Sequence, residues 1–141
     1  MTLARILQQR EREVISVAPD TPVRAVVQLL ADHRIGAVPV AEGDQVIGIM
    51  SERDVIYSLR RDGAAILEWP VERVMTRPAI TVESSLSILA GLSLMTRRRI
   101  RHLPVVDGGR MIGFISIGDL VKARMDHIEG EAEALRAYIA G

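Results

Sequence analysis

The chain carries one pattern twice. Residues 14 to 56 align without a gap on residues 79 to 121 at a constant offset of 65. Identical pairs run the length of the match: Ile15/Ile80, Val17/Val82, Ala25/Ala90, Leu29/Leu94, Ile35/Ile100, Pro39/Pro104, Val40/Val105, Gly43/Gly108, Ile47/Ile112, Gly48/Gly113, Ser51/Ser116 and Asp54/Asp119. A fixed-period repeat sets the architecture before any single motif is read. A unit of roughly 55 residues buries little surface when alone. The two copies are therefore expected to share one core, as repeat units usually do.

Each copy reads as strand, helix, strand, strand, helix, an α+β organisation. Val14 to Val17 forms a short first strand. Thr21 is placed to cap a helix whose first position is Pro22. Val23, Val26, Val27 and Leu30 then recur at helical spacing, with Ile88, Gly91, Leu92 and Met95 as their counterparts. Two β-branched runs follow in each copy, Ile35 to Val40 with Val46 to Met50, and Ile100 to Val106 with Met111 to Ile115. They are separated by Glu42-Gly43-Asp44 and Asp107-Gly108-Gly109, which are hairpin turn chemistry. The join is Trp69-Pro70 and a short helical connector, Val71 to Met75. The expected division is residues 1–70, with a helix at the start, and residues 71–141, with an extended last helix that Gly130 could interrupt. The apolar positions of that helix from Leu120 to Ile139 fit either packing on its own domain or a dimer or partner contact. Leu3, Ile6 and Leu7 are candidates for a second such contact.

Composition narrows the function classes. Hydrophobic residues are 48% of the chain, yet its aromatic residues are Phe114, Trp69, Tyr57 and Tyr138, so the core must be aliphatic, with Met50, Met75, Met95, Met111 and Met125 as filler. Base-stacking platforms for nucleic acid are scarce. Eighteen basic and eighteen acidic residues cancel, so any anion site must be local. There is no cysteine for disulfides, thiolate catalysis or thiolate-bound metal. The histidines lack metal-ligand spacing. No apolar run approaches the roughly 18 residues of a membrane span. A soluble cytoplasmic protein with no membrane, metal or nucleic-acid partner is the expectation.

The repeated chemistry is Gly-x-x-Ser-x-x-Asp, GIMSERD at 48 to 54 and GFISIGD at 113 to 119. Ser51 with Asp54, and Ser116 with Asp119, each follow an apolar strand and open a helix. Two readings stand. One is a capping box, in which Ser and the acid cover orphan backbone N–H groups. The other is a nucleotide site, since a helix start attracts phosphate and a carboxylate can accept both hydroxyls of a ribose. Capping does not account for Gly48 and Gly113, because glycine within a strand often marks a close approach to the backbone. RRRIRH at 97 to 102 is the basic cluster. Arg97, Arg98 and Arg99 fall at a helix end, where cations complement the dipole, while Arg101 and His102 enter the next strand.

VISVAPDTPV and AITVESSLSI, the strands IGAVPV and IRHLPVVD, the two GhhSxxD segments and the connector VMTRP together resemble the tandem CBS-domain family, over residues 14 to about 125. The resemblance implies a pseudo-twofold pair of β-α-β-β-α motifs with two clefts for adenosine-containing ligands: AMP, ADP, ATP, NAD(H) or S-adenosylmethionine. It implies that Asp54 and Asp119 hold ribose hydroxyls, with Ser51 and Ser116 near ribose or phosphate. Ser16 and Thr81 of the opposite motif would border the base, with Thr21 close by. Arg101 would contact phosphate, with His102 a further candidate. At offset 65, Arg53 aligns with Gly118 and Gly36 with Arg101. One guanidinium per cleft, held on opposite sides, is the expectation. The resulting reading is a non-enzymatic sensor, forming a homodimer and signalling to an effector protein. The rival is a structural adaptor whose SxxD segments are only caps.

Overall fold

The structure, a computed structural model, describes residues 1–10 and 13–141. A short helix, α1 (Leu3–Gln8), precedes two copies of helix, hairpin, helix. The first copy is α2 (Val23–His33), β1 (Ala37–Glu42), β2 (Gln45–Ser51) and α3 (Glu52–Asp62). The second is α4 (Ile88–Arg98), β3 (His102–Asp107), β4 (Arg110–Ser116) and α5 (Ile117–Ala140). Two 3-10 turns, Gly63–Glu68 and Val71–Arg73, make the join. The expected α+β class and repeat are both present, with two antiparallel strand pairs, β1 with β2 and β3 with β4.

The hairpins match in detail. Gly43 and Gly108 both take φ +58° at the turn, a conformation open to glycine and strained for other residues. Val38 faces Met50 and Leu103 faces Ile115, and all four side chains are fully buried. The register slips at the same place in both, between Val40 and Ala41 and between Val105 and Val106.

The expected first strand is reduced to one parallel bridge per copy, Val17 with Val40 and Val82 with Val105. Val17 donates to the Pro39 carbonyl at 3.1 Å and accepts from Ala41 at 2.9 Å. A turn then begins at once, Thr21 N–H bonding the Ala18 carbonyl at 3.1 Å. Thr21 is not a side-chain cap. The helix starts one residue later than expected, at Val23, and the Thr21 carbonyl instead accepts from Val71 N–H at 2.7 Å. Arg34 and Arg99, a matched pair that the apolar reading of the repeat passes over, both end their helices in the left-handed conformation at φ 53°. For a residue with a Cβ this conformation costs about 1–2 kcal/mol.

The core lies in two clusters, and the join and α1 cross between them. Val71, Val74 and Met75 pack with Val17, Val23, Val38 and Met50 of the first repeat. Leu3 and Ile6 pack with Ile88, Met95, Leu103 and Leu120 of the second. Each core thus takes a segment from the far side of the expected boundary at 70/71. The backbone shows why. Leu3 N–H bonds the Leu86 carbonyl at 2.9 Å just as Val71 N–H bonds that of Thr21, and Ala4 bonds Ser84 as Glu72 bonds Pro19. The segment from Thr2 is therefore the counterpart of the segment from Pro70, and both bridge their repeat's helix start, Thr2 to Ser87 and Pro70 to Pro22. Being inside the core, Leu3 and Ile6 are not available as the second partner contact expected of them.

The last helix runs through Gly130 without a break. Leu120 is fully buried, whereas Met125, Ile128, Leu135 and Ile139 are exposed, so its own domain does not cover the stripe beyond the first turn. Met125 is accordingly not core filler, while Met50, Met75 and Met95 are. Among the described residues no helix is long and apolar enough to cross a membrane.

Candidate functional site

Both Ser-x-x-Asp turns are complete capping boxes. Ser51 Oγ accepts from Asp54 N–H at 3.2 Å while Asp54 Oδ2 accepts from Ser51 N–H at 2.9 Å. In the second repeat the same bonds are 3.2 Å and 2.8 Å, between Ser116 and Asp119. Two orphan donors are satisfied at each helix start, and the acid stands at the positive end of the helix dipole. Capping engages one carboxylate oxygen. Asp54 Oδ1 points elsewhere and accepts from the Thr76 hydroxyl at 2.9 Å.

The glycines are explained by the chain itself. A Cβ on Gly48 would lie 2.6 Å from Met75 Sδ and 2.9 Å from the Thr76 carbonyl, and one on Gly113 would collide with Leu7. The close approach inferred from the sequence is thus made by the connector over β2 and by α1 over β4. Thr76 and Ile49 exchange backbone hydrogen bonds at 2.9 and 3.0 Å, which fixes Thr76 beside Asp54.

Around Asp54 lies a cleft of about 220 Å³. Its first-repeat wall is Gly36, Ile49, Ser51, Glu52, Arg53 and Asp54, and its second-repeat wall is Ala79, Ile80, Arg99, Ile100, Arg101 and His102, with Thr76 and Pro78 between them. Of the expected residues, this one cleft gathers Ser51, Arg53, Asp54, Arg101 and His102. Arg53 and Arg101, expected at separate clefts, line the same one: Arg101 precedes β3, which faces the first repeat's helix start. Arg99 joins them. Its neighbours Arg97 and Arg98 end the helix as expected, but the left-handed turn at Arg99 carries that residue to the cleft wall. Thr81 is exposed and outside the lining, one residue beyond Ile80, and Ser16 is also exposed. Thr21 stands in the first repeat's join to Val71. Ser116 and Asp119 belong to the second helix start, where the Asp119 carboxylate pairs with Arg10.

Sequence reasoning missed Thr76, Glu52, Arg99 and Arg10. A signal existed for Arg99, its identity with Arg34, and for α1, whose Arg5 matches Arg73 once the offset is 68 instead of 65. Thr76 lies within the connector VMTRP, but no spacing or repetition singled it out.

Electrostatics act on Asp119 and His102 through different causes. Burial pushes Asp119 up, but the Ser116 N–H and the Arg10 guanidinium outweigh it and hold the carboxyl below its usual range. Burial lowers His102, against an upward pull from Asp119 and Glu52. His102 also stacks on Phe114, ring centres 5.5 Å apart. A half-buried, largely neutral imidazole at this wall can donate or accept one hydrogen bond without adding a charge. Among the described residues no group of three or more His, Asp and Glu side chains is arranged to hold a metal ion.

The family model for the CBS domain matches twice, over residues 10–61 and 71–126. The chain belongs to the CBS family. It is a CBS-pair regulatory module. A mitochondrial CBS domain-containing protein of Arabidopsis thaliana, CBSX3, is 36% identical over 127 residues, 86% of this chain and 62% of that protein. YhcV of Bacillus subtilis is 29% identical over 82% of this chain and 81% of its own length. The solved CBS-domain-containing protein of Agrobacterium tumefaciens superposes with a TM-score of 0.82 at 36% identity, covering 88% of this chain and 99% of that one. Inosine-5'-monophosphate dehydrogenase of Thermoplasma acidophilum matches over 21% of its length, so the likeness to that enzyme is confined to a CBS-sized portion.

Proposed function

We propose that this CBS pair is a sensor without catalysis of its own, binding a phosphorylated adenosine ligand, AMP, ADP, ATP or NAD(H), in the cleft beside Asp54. The observation that carries the reading is the combination on that cleft's walls: a carboxylate oxygen not used in capping, and the guanidinium groups of Arg53, Arg99 and Arg101. Asp54 Oδ1 and the oxygen of the Thr76 hydroxyl, whose proton goes to that carboxylate, supply acceptors for a ribose diol. Ile49, Ile80 and Ile100 supply apolar surface for a base, and arginine forks suit phosphate. Binding would bridge walls from both repeats, so the ligand stabilises one relative placement of the repeats and shifts the population offered to an effector protein. The CBS pair of protein MJ0100, 20% identical with a TM-score of 0.78, is described as a complex with 5'-methylthioadenosine and S-adenosylmethionine. That likeness speaks for the fold. Three arginines on one cleft favour a phosphate over a sulfonium.

Thermal denaturation against AMP, ATP, NAD, NADH, S-adenosylmethionine, adenosine and GMP tests the reading. A ligand at 100 times its Kd adds about 2.7 kcal/mol. Phosphorylated adenosine compounds are expected to stabilise most, and absence of any shift at millimolar concentration rejects the sensor. The adaptor reading would then stand, because both capping boxes already account for Ser51, Asp54, Ser116 and Asp119 as structure. Homodimerisation through the exposed stripe of α5 belongs to the same proposal, and a monomer by light scattering with and without ligand would remove it.

A further inference from the structure

The second repeat copies the capped turn but not what stands beside it. In the first repeat Thr76 donates two hydrogen bonds: its backbone N–H to the Ile49 carbonyl, and its hydroxyl to Asp54 Oδ1. In the second, one side chain reaches both the counterpart carbonyl and the carboxylate, the latter at Oδ2, the oxygen that also accepts from Ser116 N–H. Arg10 Nη1 donates to the Phe114 carbonyl, the counterpart of Ile49, at 2.7 Å, and Arg10 Nη2 pairs with Asp119 Oδ2. Leu7, on the preceding turn, covers Gly113.

The exchange changes the chemistry. A threonine hydroxyl is neutral and can turn to accept as well as donate, so a ribose hydroxyl can join it on the carboxylate. A guanidinium donates only and carries the charge that a carboxylate seeks. A ribose diol approaching Asp119 must therefore compete with an ion pair. Arg10 and Asp119 side chains are 32% and 33% exposed, so water reaches the pair and it is weak enough to be displaced. Leu3 and Ile6 are buried in the second core and hold α1 in place, which confines any release to the turn from Leu7 to Arg10.

We propose that Arg10 is an intramolecular occupant of the carboxylate site at the second helix start: it holds the carboxylate that an adenosine ligand would need, so ligand at Asp119 and a docked Leu7–Arg10 turn exclude one another. This rests on the adenosine-ligand reading of the first cleft. The pair thereby has one carboxylate site open to ligand and one held by its own chain.

Calorimetric titration of the full chain with AMP at low salt tests this, using wild type, Arg10→Ala, Asp54→Ala and Arg10→Ala combined with Asp119→Ala. Wild type should show one site, which Asp54→Ala weakens. Arg10→Ala should show a second site at least tenfold tighter than any second site of wild type, lost again in the double variant. In wild type, amides of Leu7 to Gln9 should exchange faster only at AMP concentrations that fill a second site. Two equal sites in wild type, or an Arg10→Ala variant that keeps wild-type stoichiometry while Asp54→Ala still weakens binding, overturns the gate and leaves the sensor reading intact. No binding by any variant overturns both. If Arg10→Ala melts well below wild type, Arg10→Gln, which retains a donor for the Phe114 carbonyl without the charge, must open the second site or the proposal fails.

Discussion

The two helix starts are built alike and placed unlike. Ser51–Asp54 and Ser116–Asp119 share the capping geometry to within about a tenth of an ångström. Beside the first acid stands Thr76 from the connector, and beside the second Arg10 from the turn after α1. The comparison teaches that the duplicated motif fixes a scaffold, a carboxylate locked at a helix start. The flanking segment, which the repeat does not conserve in register, decides which side chain stands against that carboxylate. Charge follows the same division: Arg53, Arg99 and Arg101 all line the first cleft.

The largest effects should come from the flanking segments themselves. Leu3→Ala removes a fully buried side chain from the second core and should cost about 2–5 kcal/mol in urea unfolding. Val71→Ala, its counterpart, should cost less because fewer atoms are lost. If Leu3→Ala proves neutral, α1 is not part of the second core and the parallel between the segments fails.

Next is ligand affinity. Asp54→Ala should lose about 1.5–3 kcal/mol of binding, the scale of a hydrogen bond to a charged group, and about 0.5–2 kcal/mol of stability from the cap. Asp119→Ala should lose a similar cap contribution while leaving wild-type AMP affinity nearly unchanged. Equal affinity losses from the two variants would mean that the clefts are equivalent. Calorimetry and melting must be read on the same samples.

Glycine substitution probes the roofs over the strands. Gly48→Ala meets the Thr76 backbone carbonyl as well as Met75 and should destabilise by about 1–3 kcal/mol. Gly113→Ala meets only the flexible end of Leu7 and should cost less. The order of the two urea midpoints decides whether the connector is the more tightly seated segment.

The smallest effect is pH dependence from His102. Its folded pKa lies below the unfolded value of about 6.5. The unfolded chain therefore binds the proton first, and stability present above pH about 6.5 is lost as pH falls through the folded value. Urea midpoints should decline between pH 7.5 and 5.5 in wild type and decline less in His102→Gln. An identical slope in both would assign the dependence to other groups.

Much of this was legible in the sequence. The offset of 65 carried the hairpins, the helices and both capping turns, because period-2 and period-3.6 patterns and turn glycines are local signals. The helix start at Val23 and the single-residue bridge at Val17 were not legible. Their competitors are backbone bonds to Val71, Pro39 and Ala41, remote or non-patterned donors and acceptors. The candidate site divided in the same way. Ser51 and Asp54 stood out by chemistry and repetition, and Arg53 and Arg101 as cations where the repeats differ, but that these two arginines share a cleft depends on how one repeat faces the other. The roles of α1 and the connector were hidden by a shift of three residues, which breaks a gap-free alignment although Arg5 and Arg73 still match.

The crossing of α1 into the second core has a consequence for the order in which the chain can be completed. A chain is made from its first residue onward, and domains generally fold as they emerge. The first core closes once Met75 is available, within a stretch of about 60 residues from Val17. Leu3 and Ile6 are made earlier but wait for Leu103, Ile115 and Leu120. During that interval they are exposed apolar side chains with no native partner, and the loop that finally closes between Leu3 and Leu86 spans the entire first repeat. Contacts so distant in sequence form slowly. The second repeat, which carries the arginine-held carboxylate, thus assembles after the first, and its assembly depends on residues synthesised before the first repeat.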